Sequence, residues 1–140
     1  GFYTKMNIKL SRQLTWVNTL NKTFGIIKED NSPLDHIPPI FAKSELQWTK
    51  NEHSLTLYSL YNGWKRAEEY STNGSDNFNE ATIDGNPSWF TLNLSYFTKI
   101  TPRMTVQVAL ENILDVHYKT YSSGISSPGR NFIISLNSSF

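Results

Sequence analysis

Three histidines, two oxygen-rich segments and a few carboxylates are the residues of this chain whose types could do chemistry. His36, His53 and His117 could act as proton carriers or metal ligands, but a metal site needs its ligands together. They are far apart in sequence, and His53 falls in a short turn remote from the other two. The expectation is solvent-exposed loop histidines. Asn73-Gly74-Ser75-Asp76-Asn77 and Asp84-Gly85-Asn86 supply oxygen atoms of the kind calcium prefers. Their spacing is not that of an EF-hand, and Asn, Asp and Gly are ordinary turn residues. Glu111 and Asp115 fall at i and i+4 on one face of an expected strand, about 13 Å apart at about 3.3 Å per residue. That is too far for two carboxylates to act on one bond. A cation such as Arg130 is a better partner for them, unless Arg130 braces the last hairpin. No Ser/His/Asp arrangement, phosphate loop or nucleotide fingerprint is present. The chain is therefore expected to be no enzyme and to hold no metal or cofactor.

What remains is binding. Trp64, Arg66, Tyr70, Tyr118 and Tyr121 lie in or beside the long connections and are the candidate ligand-binding residues. Any one of them could equally belong to an interfacial girdle or a solvated loop tip.

The elements that position these residues have a period of two, not 3.6. Phe2, Thr4, Met6, Ile8 and Leu10 alternate with Tyr3, Lys5, Asn7 and Lys9. Phe90, Leu92, Leu94 and Tyr96 do so with Thr91, Asn93 and Ser95, and the pattern recurs at Met104–Leu110 and Phe132–Leu136. Seven strands are expected, over about 2–10, 14–28, 40–49, 54–66, 88–99, 103–117 and 131–140. Asn18 and Lys22 interrupt the second, and Tyr58 and Leu60 blur the fourth. Short connections (11–13, 50–53, 100–102) alternate strictly with long ones (29–39, 67–87, 119–129). Transmembrane barrels need that order, with short turns on one side and long loops on the other. Aromatics gather near both strand ends, with Trp48, Tyr96, Phe97 and Phe140 at one rim and Trp64, Trp89 and Phe90 at the other. Tyr and Trp favour membrane interfaces because their rings are apolar while one end needs water.

Composition is compatible with this. The 140 residues contain no run of 18 apolar ones, so no transmembrane helix is available. A barrel strand needs only about 9–11 residues, every second one apolar. Aromatic content is 14% and Cys is absent, which rules out a disulfide framework and a thiolate metal site. A net charge of +1 argues against a nucleic-acid partner. Gly1-Phe2-Tyr3 carries no signal peptide, so the chain is expected to be a fragment. Its length suits roughly a third of a barrel of about 22 strands.

The final thirty residues contain Asn112-Ile113-Leu114-Asp115 to Tyr118, then Gly124 to Pro128-Gly129-Arg130, then a strand closing on Phe140. This stretch resembles the C-terminus of TonB-dependent outer-membrane receptors. Pro33-Leu34-Asp35-His36-Ile37-Pro38-Pro39 is similar to the family segment that precedes a re-entering strand. The resemblance departs at Ser138, where a large apolar residue is common. It implies an all-β, antiparallel up-and-down meander of about seven long strands, forming residues 1–140 of the C-terminal part of a large barrel. It also implies residence in the outer membrane of a Gram-negative bacterium. The function implied is energy-coupled uptake of an iron chelate, haem, a vitamin or a glycan. Partners would be outer-membrane lipid, the receptor's own plug domain (to which Glu111 and Asp115 could pair), TonB and the barrel-assembly machinery. Phe140 would be the assembly signal. The alternative is a soluble β-sandwich module binding carbohydrate or another ligand, which would pack two sheets on one core. A small complete barrel is disfavoured by the odd strand number.

Overall fold

The computed structural model describes residues 1–71 and 76–139. Seven strands build it: β1 (Phe2–Lys9), β2 (Leu14–Lys22), β3 (Phe41–Lys50), β4 (His53–Asn62), β5 (Trp89–Thr101), β6 (Met104–Glu111) and β7 (Asn131–Ser138). They form one sheet in chain order, each antiparallel to the next. This is the expected meander. Among the described residues the other sheets are two-residue ribbons, Ile26–Ile27 with Ser32–Pro33 and Lys65–Arg66 with Gly85–Asn86. With no second sheet to pack on, the β-sandwich alternative fails.

Register explains the alternation. Ile8, Trp16, Leu46, Leu57, Leu94, Leu110 and Phe132 are successive cross-strand partners, one from every strand. Leu14, Trp48, Leu55, Tyr96, Val108 and Ile134 form the neighbouring row. Since side chains alternate across a sheet, these rows share one face with Phe90, Leu92, Val106 and Leu136. The opposite face carries Lys43, Glu45, Tyr58, Thr91, Asn93, Gln107 and Glu111. Tyr58 and Leu60, which blurred the alternation of β4, belong to this second face.

Burial is inverted relative to a water-soluble domain. Thr91, Asn93 and Asn112 are buried, while Phe132, Ile134 and Leu136 are exposed. An apolar outside and a polar inside are what a barrel wall in lipid requires. Three polar residues on the outward face, Asn18, Ser44 and Ser59, are successive cross-strand partners. There the Trp16 indole donates to Ser44 Oγ at 2.8 Å, so its N–H stays paired on the apolar face.

Three connections are tight. Ser11 Oγ accepts from the backbone N–H groups of Gln13 and Leu14. Asn51, at φ 51°, makes the two-residue turn between Lys50 and His53; Asn tolerates this left-handed backbone. Pro102 and Arg103 turn β5 into β6. The long connections 23–40, 63–88 and 112–130 all leave the opposite end.

Three expected strands run short. The second stops at Lys22 rather than 28 and the fourth at Asn62 rather than 66. Beyond each the chain pairs locally, in the two ribbons. The sixth stops at Glu111 rather than 117, because Asn112 and Asp115 are left-handed at φ 48° and 56°. Asp115 is thus not on a strand face with Glu111. The girdle also needs correcting, because Trp89 and Phe97 take the polar face, opposite Phe90 and Tyr96 respectively. Phe140 and Asn73-Gly74-Ser75 lie outside the described residues.

Candidate functional site

At the long-loop end, three connections interlock around one buried cation. Lys65, only 3% exposed, donates to the Ile37 carbonyl at 2.7 Å. Its ammonium lies 5.5 Å from the Tyr70 ring centroid and 5.3 Å from that of Tyr121. Tyr70 also packs edge-on against Phe78, 4.9 Å away. Asp76, 1% exposed, accepts the His36 N–H at 2.8 Å and lies 3.2 Å from His36 Nδ1. Ile37 and His36 come from the first loop, Lys65, Tyr70 and Asp76 from the second, and Tyr121 from the third.

Burial sets the electrostatics of this latch. It pushes the Lys65 ammonium below its ordinary range, against the pull of Glu69 and Asp76. It pushes the Tyr70 and Tyr121 hydroxyls up, and the Asp76 carboxylate adds to both shifts. The two phenols therefore stay neutral at physiological pH. Gly85 makes the geometry possible. Its φ of 102° and the 2.0 Å that would separate a Cβ from the Lys65 carbonyl leave no room for a side chain.

The five candidate ligand residues fall into three places. Trp64 and Arg66 form an exposed stack, the guanidinium 4.3 Å from the ring. Trp64 Nε1 donates to the Asp84 carbonyl, and the Arg66 N–H to Glu69 Oε2. Tyr70 and Tyr121 belong to the latch. Tyr118 packs on Trp89, centroids 4.3 Å apart, at the floor of a cleft of about 320 Å³ between the second and third loops. Sequence reasoning missed Lys65, named Asp76 only as a turn residue or calcium-type oxygen ligand, and placed Trp89 in the rim girdle. Strand parity relative to Phe90 could have revealed Trp89. Nothing in the sequence marks Lys65 or the latch role of Asp76, because their surroundings come from loops far apart in the chain.

The remaining candidates separate. His36 is in the latch, His117 borders the cleft, and His53 Nδ1 lies 2.7 Å from the Tyr96 hydroxyl at the short-turn end. Among the described residues no three His, Cys, Asp or Glu side chains gather as a metal site. Glu111 Oε1 accepts from the Tyr58 hydroxyl at 3.4 Å. On the same face Lys43 pairs with Glu45 at 2.7 Å. Asp115 accepts from the backbone N–H of Arg130, whose Nε donates to the Ile113 carbonyl at 3.0 Å. Arg130 thus braces the final hairpin.

Several solved structures share this arrangement. The chain superposes on the copper transporter OprC with a TM-score of 0.81 and 16% identity, over 96% of this chain and 23% of that one. It superposes on the ferric enterobactin receptor PfeA from Pseudomonas aeruginosa, solved in complex with enterobactin. There the TM-score is 0.75 and the identity 19%, over 97% and 22% of the two chains. Its fold is that of a TonB-dependent receptor barrel segment. The segment spans under a quarter of the length of these proteins. No family model and no curated protein sequence matches it.

Proposed function

We propose that the chain is the C-terminal part of the barrel of a TonB-dependent receptor, taking up a scarce ligand across a Gram-negative outer membrane. The observation that carries this is the inverted wall: every strand contributes an apolar residue to the outward row Ile8 to Phe132, while the opposite face is polar and all three long loops leave one end. The names of the similar structures, a copper transporter and a ferric enterobactin receptor, favour a metal or metal-chelate cargo within the wider range of haem, vitamin or glycan. The exposed Trp64–Arg66 stack and the cleft beside Tyr118 are the ligand-facing parts, and Tyr70 and Tyr121 hold the loops that carry them. The polar network of Lys43, Glu45, Tyr58 and Glu111 faces the plug domain. TonB supplies the energy for transport, and lipid covers the apolar face.

The test is growth and uptake. Cells lacking the gene are compared with parent cells under limitation for iron or copper, with and without a TonB deletion. A TonB-dependent uptake defect for one cargo supports the reading. Normal uptake of every cargo class named here overturns it.

A further inference from the structure

At the short-turn end the outward face closes on a row of basic side chains. Lys50 pairs with His53 across β3 and β4, and His53 with Thr98 across β4 and β5. The Thr49 N–H donates to the Gln13 carbonyl at 2.8 Å, so the β2–β3 register runs on and sets Arg12, in the first turn, beside Lys50. The next row on the same face is Leu14, Trp48, Leu55 and Tyr96. Arg12, Lys50 and His53 are thus lateral neighbours at the edge of the apolar wall, on strands about 5 Å apart. All three are exposed.

Folding does not account for this row, because like charges on neighbouring strands repel. Neither Arg12 nor Lys50 forms an ion pair among the described residues. The carboxylate of Glu52, in the same turn as Lys50, is taken by Lys99 at 3.6 Å. At the long-loop end, by contrast, Lys22 is compensated by Glu69 and Lys119 by Glu80. The His53 imidazole is held in place by the Tyr96 hydroxyl at 2.7 Å and Thr98 Oγ1 at 3.0 Å, both on Nδ1. That leaves Nε2 to donate to a further group. An anion lying along the row would take all three donors and cancel the repulsion, and Arg and Lys are both phosphate binders. The adjoining surface is that of an acyl chain: Trp48 and Tyr96 stand at interface depth, and Leu46, Leu55 and Leu57 are exposed beyond them. A free phosphate would use the cations alone, whereas a phospholipid uses the leucines as well.

We propose that Arg12, Lys50 and His53 form a headgroup site for an anionic glycerophospholipid of the periplasm-facing leaflet. Its phosphate lies on the basic row and its acyl chains run along Leu46, Leu55 and Leu57. The proposal rests on the reading of the apolar face as the one in lipid and of the short-turn end as the inner one.

The intact receptor, purified in a non-ionic detergent, is equilibrated with equal parts of phosphatidylglycerol and phosphatidylcholine, and native mass spectrometry counts the lipids that stay bound. The parent should retain phosphatidylglycerol in preference. Lys50→Gln should lower that preference about fivefold, the worth of one cation at an anionic headgroup, and adding Arg12→Gln should lower it further. Lys28→Gln removes the same charge from an exposed site in the first loop and should leave the preference unchanged. Without lipid, Lys50→Gln should melt no lower than the parent, because it relieves repulsion; phosphatidylglycerol should raise the melting of the parent more than that of the double variant. Equal retention of the two lipids by the parent overturns the site, as does a preference that survives the double substitution or falls equally in Lys28→Gln. Inorganic phosphate that competes as strongly as the lipid would assign the row to a free anion and overturn the lipid. A receptor that fails these tests yet takes up its cargo leaves the uptake reading standing, while a lipid preference without any uptake phenotype leaves the site standing.

Discussion

Asp115 Oδ1 accepts the backbone N–H of Arg130 at 2.7 Å, joining the end of one strand to the start of the next across fifteen residues. The same oxygen would lie 2.6 Å from a Cβ on residue 129, which is glycine. Asn112, 3% exposed, completes the closure. Its side chain pairs with both the N–H and the carbonyl of Val116 and donates to the Pro128 carbonyl. The Asn-Ile-Leu-Asp segment and the Pro-Gly-Arg segment are thus two halves of one clamp.

Asp115→Asn tolerates the left-handed backbone and replaces the carboxylate by a neutral amide. The expected cost is about 1–2 kcal/mol, since the bond is partly exposed. Gly129→Ala should cost at least as much by displacing the carboxylate. Thermal unfolding of the intact barrel in detergent measures both. A Gly129→Ala barrel as stable as the parent would show that the clamp does not matter.

Adjacent residues of one strand should differ sharply. Val108 is on the apolar face and Gln107 on the polar one. Val108→Arg should destabilise the membrane-inserted protein by about 2–4 kcal/mol. Gln107→Arg keeps a donor for Ser95 Oγ and should change stability little. Folding titrations in lipid vesicles give both numbers, and equal costs would refute the assignment of faces.

The latch should open in alkali. Tyr70 and Tyr121 have folded pKa values raised above the 10.0 of a free tyrosine. Their contribution is therefore full below pH 10.0 and is lost as pH rises through the folded values. The lowered pKa of Lys65 acts oppositely, because its burial penalty disappears once the unfolded ammonium also loses its proton near 10.5. With two phenols against one amine, the net expectation is loop opening above about pH 10. Protease cleavage of the second loop between pH 8 and 11 reports it. Tyr70→Phe/Tyr121→Phe should shift the onset upward, and an unchanged onset would remove the phenols from the explanation.

The two ends of the sheet should face different compartments. Ile125 is 81% exposed on the third loop, and Asn51 occupies a short turn at the other end. Only Ile125→Cys should react with an impermeant maleimide in whole cells. Equal labelling of Asn51→Cys would invert the orientation.

The strands and their order were readable from residue types alone, because a two-residue period and turn-forming residues are local signals. Phe90 to Tyr96 and Met104 to Leu110 carried their faces openly, and the alternation of short and long connections carried the meander. Asn112 to Arg130 was readable as a pattern, but its physical reason was not. The side-chain bonds of Asn112 and Asp115 exist only when residues four to sixteen apart are folded together. The strand ends were misjudged where apolar or extended residues continued past the sheet, as at Ile26–Ile27 and Lys65–Arg66. Only the tertiary structure decided that Lys65 and Asp76 are buried, that Tyr70 and Tyr121 hold loops together, and that Trp89 floors a cleft. Each depends on partners from separate loops, and nothing within a short stretch of sequence records which loops will meet.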